Sequence, residues 1–239
     1  MKWHKHIIIT GTLLVQITGQ LVLAQRMGRG RAMGMRQPGM QNANFGTVCA
    51  QLPKQPLDVS EKEALVYMRE EEKLARDVYL ALNNKWNFRV FANIARSEQR
   101  HTDAVALLLK KYNIEDPVKN DSLGAFTNPE LAGLYKQLVA KGQKSLKDAL
   151  IVGATIEDLD IYDLDKRLAI TDNEDVTCVF KNLRRGSENH MRAFIRQLRA
   201  NGGTYKPQYI SEKEFNSILN SAGGHQGRGG MRGRRSFRY

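Results

Sequence analysis

The sequence predicts an all-α protein: a bundle of four long helices with one crossover connection carrying its own short helix, plus a short C-terminal helix. Three observations carry this expectation. No stretch alternates apolar and polar residues with period two over a useful length, so a sheet has no material to form from. Four stretches of more than twenty residues repeat apolar side chains at three- and four-residue intervals, the spacing of one helix face. The connection between the second and third of these is longer than an up-and-down bundle needs, as in bundles with one crossover.

The elements follow in order. Ser60 with Glu63 has the pattern of a capping box, and Ala64, Leu65, Tyr67, Met68, Leu74, Ala75, Val78, Tyr79 and Leu82 then keep helical spacing to about Asn83. A second helix is expected over about Phe88 to Tyr112, with Phe91, Ile94, Ala95, His101, Ala104, Leu107 and Leu108 inward and Asn113 near its end. Asn128-Pro129 reads as a cap and a first-turn proline, opening a shorter helix to about Ala140 that Gly142 closes. Ser145 to about Leu168 gives the third long helix. Thr171 or Asp172 caps the fourth, from about Glu174 to Ala200, before Asn201-Gly202-Gly203. Ser211 and Glu214 repeat the capping pattern ahead of a terminal helix to about Leu219.

The flanks differ in composition from this core. Two lysines, an apolar run from Ile7, and Val22 and Ala24 before Gln25 describe a secretory signal peptide over residues 1–24. Cleavage after Ala24 and an exported, periplasmic or extracellular protein are the expectation. Residues 25–56 are rich in Gly, Met and Arg without apolar periodicity and are expected to form a disordered arm; its Met27, Met33, Met35 and Met40 read as a linker of biased composition rather than copper(I) ligands. The folded domain should span 57–220, and an Arg/Gly-rich tail should occupy 221–239.

The formal charge of +12 suggests nucleic acid until its distribution is considered. Two lysines lie in the leader, four arginines in the arm and five in the tail, and without these eleven the remainder carries +1. No nucleic-acid partner is expected of an exported protein with a near-neutral folded part. The tails suit an anionic surface or an acidic partner, and a homodimer is the assembly expected if the chain self-associates. Cys49 and Cys178 are the two cysteines, and outside the cytoplasm such a pair is a candidate disulfide.

Polar groups on inward faces are the informative exceptions to an amphipathic pattern. Glu72 shares a stripe with Met68, Ala75 and Tyr79. Glu98 and His101 stand three apart, one above the other on the face of Ile94 and Leu108. Glu157 lies with Gly153, Ala154 and Ile161, and His190 between Leu183 and Phe194. Each long helix thus turns at least one metal-capable group inward. Unpaired buried carboxylates would cost several kcal/mol each, a cost that a multivalent cation removes. Glutamate and histidine without thiolate suit iron, manganese or zinc, in one or two ions, and redox chemistry narrows the choice to iron or manganese. Glu70 and Glu71, by contrast, are read as a solvated face.

At these residues the sequence resembles the ferritin-like superfamily, and within it the bacterial DUF2202 family. The resemblance rests on EEEKLARDVY (70–79), SEQRH (97–101), GATIEDLD (153–160) and GSENHMRAF (186–194), and covers about residues 58–220. Rubrerythrin-like members follow the first-helix Glu with Ala at plus three and Tyr at plus seven, which selects Glu72 with Ala75 and Tyr79. The resemblance implies Glu72 and Glu157 as bridging ligands and Glu98, His101 and His190 as terminal ones. It also implies Glu-x-x-His on the fourth helix, where this chain has Ser187 three before His190. Either water completes that position or Asp160, three after Glu157, replaces the missing carboxylate. Tyr79 and Tyr162 are candidates to hydrogen-bond a ligand carboxylate. Two functions follow as alternatives: a metal-dependent oxidoreductase, ferroxidase- or peroxidase-like, or a non-catalytic secreted bundle with a structural or vestigial metal site and binding tails.

Overall fold

A computed structural model describes residues 45–221. The expected signal peptide, the arm as far as residue 44 with its four methionines, and the Arg/Gly tail from residue 222 lie outside the described residues. Within them all regular structure is helical: α1 Phe45–Ala50, α2 Val59–Trp86, α3 Arg89–Tyr112, α4 Pro129–Gly142, α5 Leu146–Leu168, α6 Glu174–Ala200 and α7 Glu212–Asn220. The long helices α2 and α3 pack as one pair and α5 and α6 as another; α2 also meets α5, and α3 meets α6. Between α3 and α5 the chain crosses over, and α4 lies against α2 and α5.

The caps show where local chemistry acts. The capping box of α2 is formed by Asp58 and Glu61, not by Ser60 and Glu63: Asp58 accepts from the Glu61 N–H at 2.7 Å, and Glu61 accepts from the Asp58 N–H at 3.0 Å. Asn128 accepts from the Glu130 and Leu131 N–H groups with Pro129 at the first helical position, and Ser145 caps α5. The residue preceding α6 is Asn173 rather than Thr171 or Asp172, and its side chain makes no cap. It donates instead to both oxygens of Glu61, at 2.9 and 2.8 Å, tying the start of α2 to the α5–α6 connection.

Two expectations fail against packing. The arm expected to be disordered to residue 56 is ordered from Phe45: Cys49 is disulfide-bonded to Cys178 of α6, and α1 packs on α3 and α6. Behind it, Lys111 Nζ donates to the Leu52 carbonyl and Asn173 Nδ2 to that of Pro56. Six residues are too short for a periodic signal, so α1 depends on its tertiary ties. Glu70 and Glu71 are buried rather than solvated, Glu70 because the crossover covers that flank of α2 and Glu71 because it lies against Asp163 of α5. Glu70 accepts from the backbone N–H groups of Thr127 and Asn128, Lys73 Nζ donates to the Ser122 carbonyl, and Asp77 accepts from Gly124 N.

The bundle core falls into two apolar layers. One is built from Leu74, Val78, Leu82, Phe91, Ile94, Phe194 and Leu198 with their neighbours. The other contains Leu65, Met68, Val105, Leu108, Val179, Phe180 and Leu183. Along each long helix the sequence passes from one layer to the other through a few buried polar residues, and these form a middle layer.

Candidate metal centre

Glu72 of α2, Glu98 and His101 of α3, Glu157 and Asp160 of α5, and His190 of α6 all lie buried in that middle layer. Two groups of three bring ligand atoms within reach of a common point: Glu72, Glu98 and His101, and Glu98, Glu157 and His190. Glu98 belongs to both. Its Oε2 stands 2.8 Å from His101 Nδ1 and its Oε1 2.7 Å from His190 Nδ1. Glu72 and Glu157 each approach one histidine, with Glu72 Oε2 3.2 Å from His101 Nδ1 and Glu157 Oε2 3.5 Å from His190 Nδ1. The i, i+3 spacing of Glu98 and His101 places both on one face, and the second histidine reaches the same carboxylate from the neighbouring helix.

The surroundings fix these side chains. Tyr79 Oη donates to Glu157 Oε1 at 2.6 Å. The imidazoles of His101 and His190 stack at 5.4 Å between centroids and 24° between planes. A Cβ on Gly186 would come within 2.5 Å of His101 Cε1, so only glycine leaves α6 room for that ring. Ser187 occupies the place where a fourth-helix carboxylate was expected, and its Oγ donates to Asp160 Oδ2. A serine on α6 thus holds an aspartate of α5 beside the cluster. Tyr162 does not reach the centre: its ring lies 6.1 Å from that of Tyr209 and 4.1 Å from Lys166 Nζ, near the surface.

Within the cluster these groups compensate one another's charge. Burial alone would lower both histidines, but Glu98 and Glu72 hold His101 well above its ordinary range, and Glu98 and Glu157 push His190 up to about 10. Burial would raise Glu98; the two imidazoliums outweigh it and hold that carboxyl low. Burial raises Glu72 to about 7 with His101 opposing, and raises Glu157 against the pull of His190. Asp160 is raised well above the usual carboxyl range by burial and by Glu72 and Glu157.

The same spacing also suits a ligand set. Glu98 Oε1 and His190 Nδ1 are 2.7 Å apart. Ligands about 2.0–2.1 Å from one ion and at right angles stand roughly 2.9 Å apart, so the spacing fits a shared cation.

Sequence reasoning missed Gly186, and it gave no partner for Ser187. Gly186 and Ser187 lie in the quoted string around His190, but only the opposing helices give them a role.

The chain matches the model of an uncharacterized protein domain, DUF2202, over residues 61–222. It is 63% identical over 171 residues to the uncharacterized protein MJ0754 of Methanocaldococcus jannaschii, covering 72% of this chain and 92% of that protein. The crystal structure of hypothetical protein MJ0754 from Methanococcus jannaschii is similar in fold, with a TM-score of 0.71 and 62% identity over 72% of this chain and 98% of that one. A family match over most of the folded residues and a relative of this identity place the chain in one family: it belongs to the DUF2202 family.

Proposed function

We propose that this is a ferritin-like, metal-dependent oxidoreductase that takes iron or manganese, two ions per chain. Glu98 would serve both positions, Glu72 and His101 would complete one, and Glu157 and His190 the other. Asp160, steadied by Ser187, would supply the fourth carboxylate of the set. The observation that carries this reading is the sharing of Glu98 between two histidines, at 2.8 Å from His101 Nδ1 and 2.7 Å from His190 Nδ1. Bound iron or manganese would supply one-electron chemistry toward dioxygen, peroxide or a further metal ion.

The residues supply what such chemistry requires. The apolar layers on both sides keep bulk water from the centre and strengthen its electrostatics. The Tyr79 hydroxyl holds Glu157 in one orientation, as groups behind a ligand do in metal sites. The absence of thiolate from the set favours iron or manganese over copper(I). We further propose that the protein is exported: the Cys49–Cys178 bond is what an oxidising compartment permits.

Anaerobic loading with Fe(II) or Mn(II), followed by metal analysis and optical spectra on adding dioxygen or peroxide, tests the reading. Two ions per chain and a spectral change are expected. Retained metal with no change would favour a structural centre, the alternative that leaves binding to the tails, and no retained metal would end the metal reading altogether.

A further inference from the structure

The polar layer continues beyond the centre toward one side of the bundle. Asp160 has one carboxylate oxygen, Oδ1, buried without a hydrogen-bond partner, and such atoms are few in folded proteins. Glu71, 5% exposed, shares a hydrogen bond with Asp163, 8% exposed. Asp160, one helical turn before Asp163, interacts electrostatically with Glu72 on one side and with Glu71 on the other. Beyond Asp163 stands Tyr209, whose ring meets that of Tyr162. Both tyrosines line a surface cleft of about 430 Å³ with Lys166, Asp165 and Glu214, the two acids ion-paired with Arg184.

The opposite side is closed. There α1 packs across α3 and α6, the Phe45 ring meets His101 edge-on at 6.0 Å, and the Cys49–Cys178 bond fastens the helix in place.

We propose that Asp163, Glu71 and Asp160 form a path by which a divalent cation passes from the Tyr162–Tyr209 cleft to the centre, an inference that rests on the two-metal reading. Three carboxyl groups outnumber the two cationic groups near them, the Arg167 guanidinium 4.5 Å above the Tyr67 ring and the Lys166 ammonium at the cleft, and so favour a cation over an anion. Among the described residues only the two Glu98 groups bring three ligand atoms together. A cation at Glu71 and Asp163 therefore meets too few ligands to stay, and passes on to where there are more.

Stopped-flow uptake of Co(II) by the purified full chain, followed by its visible absorption, measures the path directly. Replacing both carboxylates (Glu71→Gln with Asp163→Asn) keeps shape and removes charge. The final Co(II) stoichiometry should stay that of the parent, while uptake and chelator-driven release both slow by about tenfold or more, as expected when charges within a few ångströms of a cation are lost. Rates within about twofold of the parent at full stoichiometry would overturn the path, because charges at such short range cannot be neutral in effect. A reduced stoichiometry would overturn it too, by making the pair ligands. Should the double variant lose its helical circular dichroism, Tyr209→Trp decides: a bulkier ring at the half-buried mouth should slow uptake, and an unchanged rate counts against the path. A parent that takes up no Co(II) would instead sink the two-metal reading itself, an outcome distinct from unchanged rates.

Discussion

Glu98 is the residue on which the centre turns, because one carboxylate faces two imidazoles at 2.8 and 2.7 Å. Glu72 and Glu157 each meet one. This predicts unequal consequences for similar substitutions. Glu98→Ala should abolish retention of both ions, whereas Glu72→Ala should leave the position at Glu157 and His190 and lower the stoichiometry from two ions per chain to one. Metal analysis after gel filtration distinguishes them, and equal losses in the two variants would contradict the shared role. The sequence carried part of this: inward spacing identified Glu72, Glu98, His101, Glu157 and His190, since a helical period says which way a side chain points. It does not say which helix stands opposite. Hence neither the burial of Glu71 against Asp163 of α5 nor the hydrogen bond from Ser187 to Asp160 is legible in the sequence.

At the scale of elements, two ties hold helices together that no periodicity describes. The first is the disulfide joining α1 to α6 across 129 residues of chain. Closing so long a loop restricts the unfolded chain, and native disulfides typically contribute ~2–4 kcal/mol. Reduction should lower the melting temperature by roughly 4–16 °C for a domain of this size and speed amide exchange in Phe45–Ala50. Continued protection of those amides would mean that packing alone holds α1. The second tie is Glu61, which joins α2 to the α5–α6 connection through Thr171 and Asn173. Burial alone would raise its pKa, but the hydrogen bonds from Thr171, Asn173 and the Asp58 N–H prevail, so the folded value lies below 4.5. The charged form is favoured by folding; its stabilisation is complete above the unfolded value and is lost as pH falls through the folded one. Glu61→Gln should therefore cost about 1.5–3 kcal/mol at neutral pH, the range for hydrogen bonds to a charged group, and less as the pH drops below 4. Urea melts of parent and variant at several pH values check this, and a constant difference down to acid pH would refute it.

For the whole molecule, the all-α class and the long helices were legible because each buried stripe runs for many turns, and averaging over many residues suppresses local exceptions. What escaped was whatever depends on a neighbour: α1, and the crossover seated on Glu70, Lys73 and Asp77, charged residues that a single-helix pattern assigns to solvent. The same reasoning sets the last expectation. A layer of carboxylates and imidazoles between two apolar layers gives up the dispersion and burial that leucines would provide there. Metal restores stability only to the folded form, because the ligands come from four helices that an unfolded chain does not bring together. At a free metal concentration of about 100 times the dissociation constant, one site adds about 2.7 kcal/mol. The melting temperature should thus rise with Fe(II) or Mn(II) concentration and fall on adding a chelator. In Glu98→Ala it should be insensitive to both, since that variant has lost the carboxylate common to the two positions. A parent whose melting temperature ignores metal would leave the buried layer without the ion its geometry suits, and its six groups would then have to hold together through proton sharing alone.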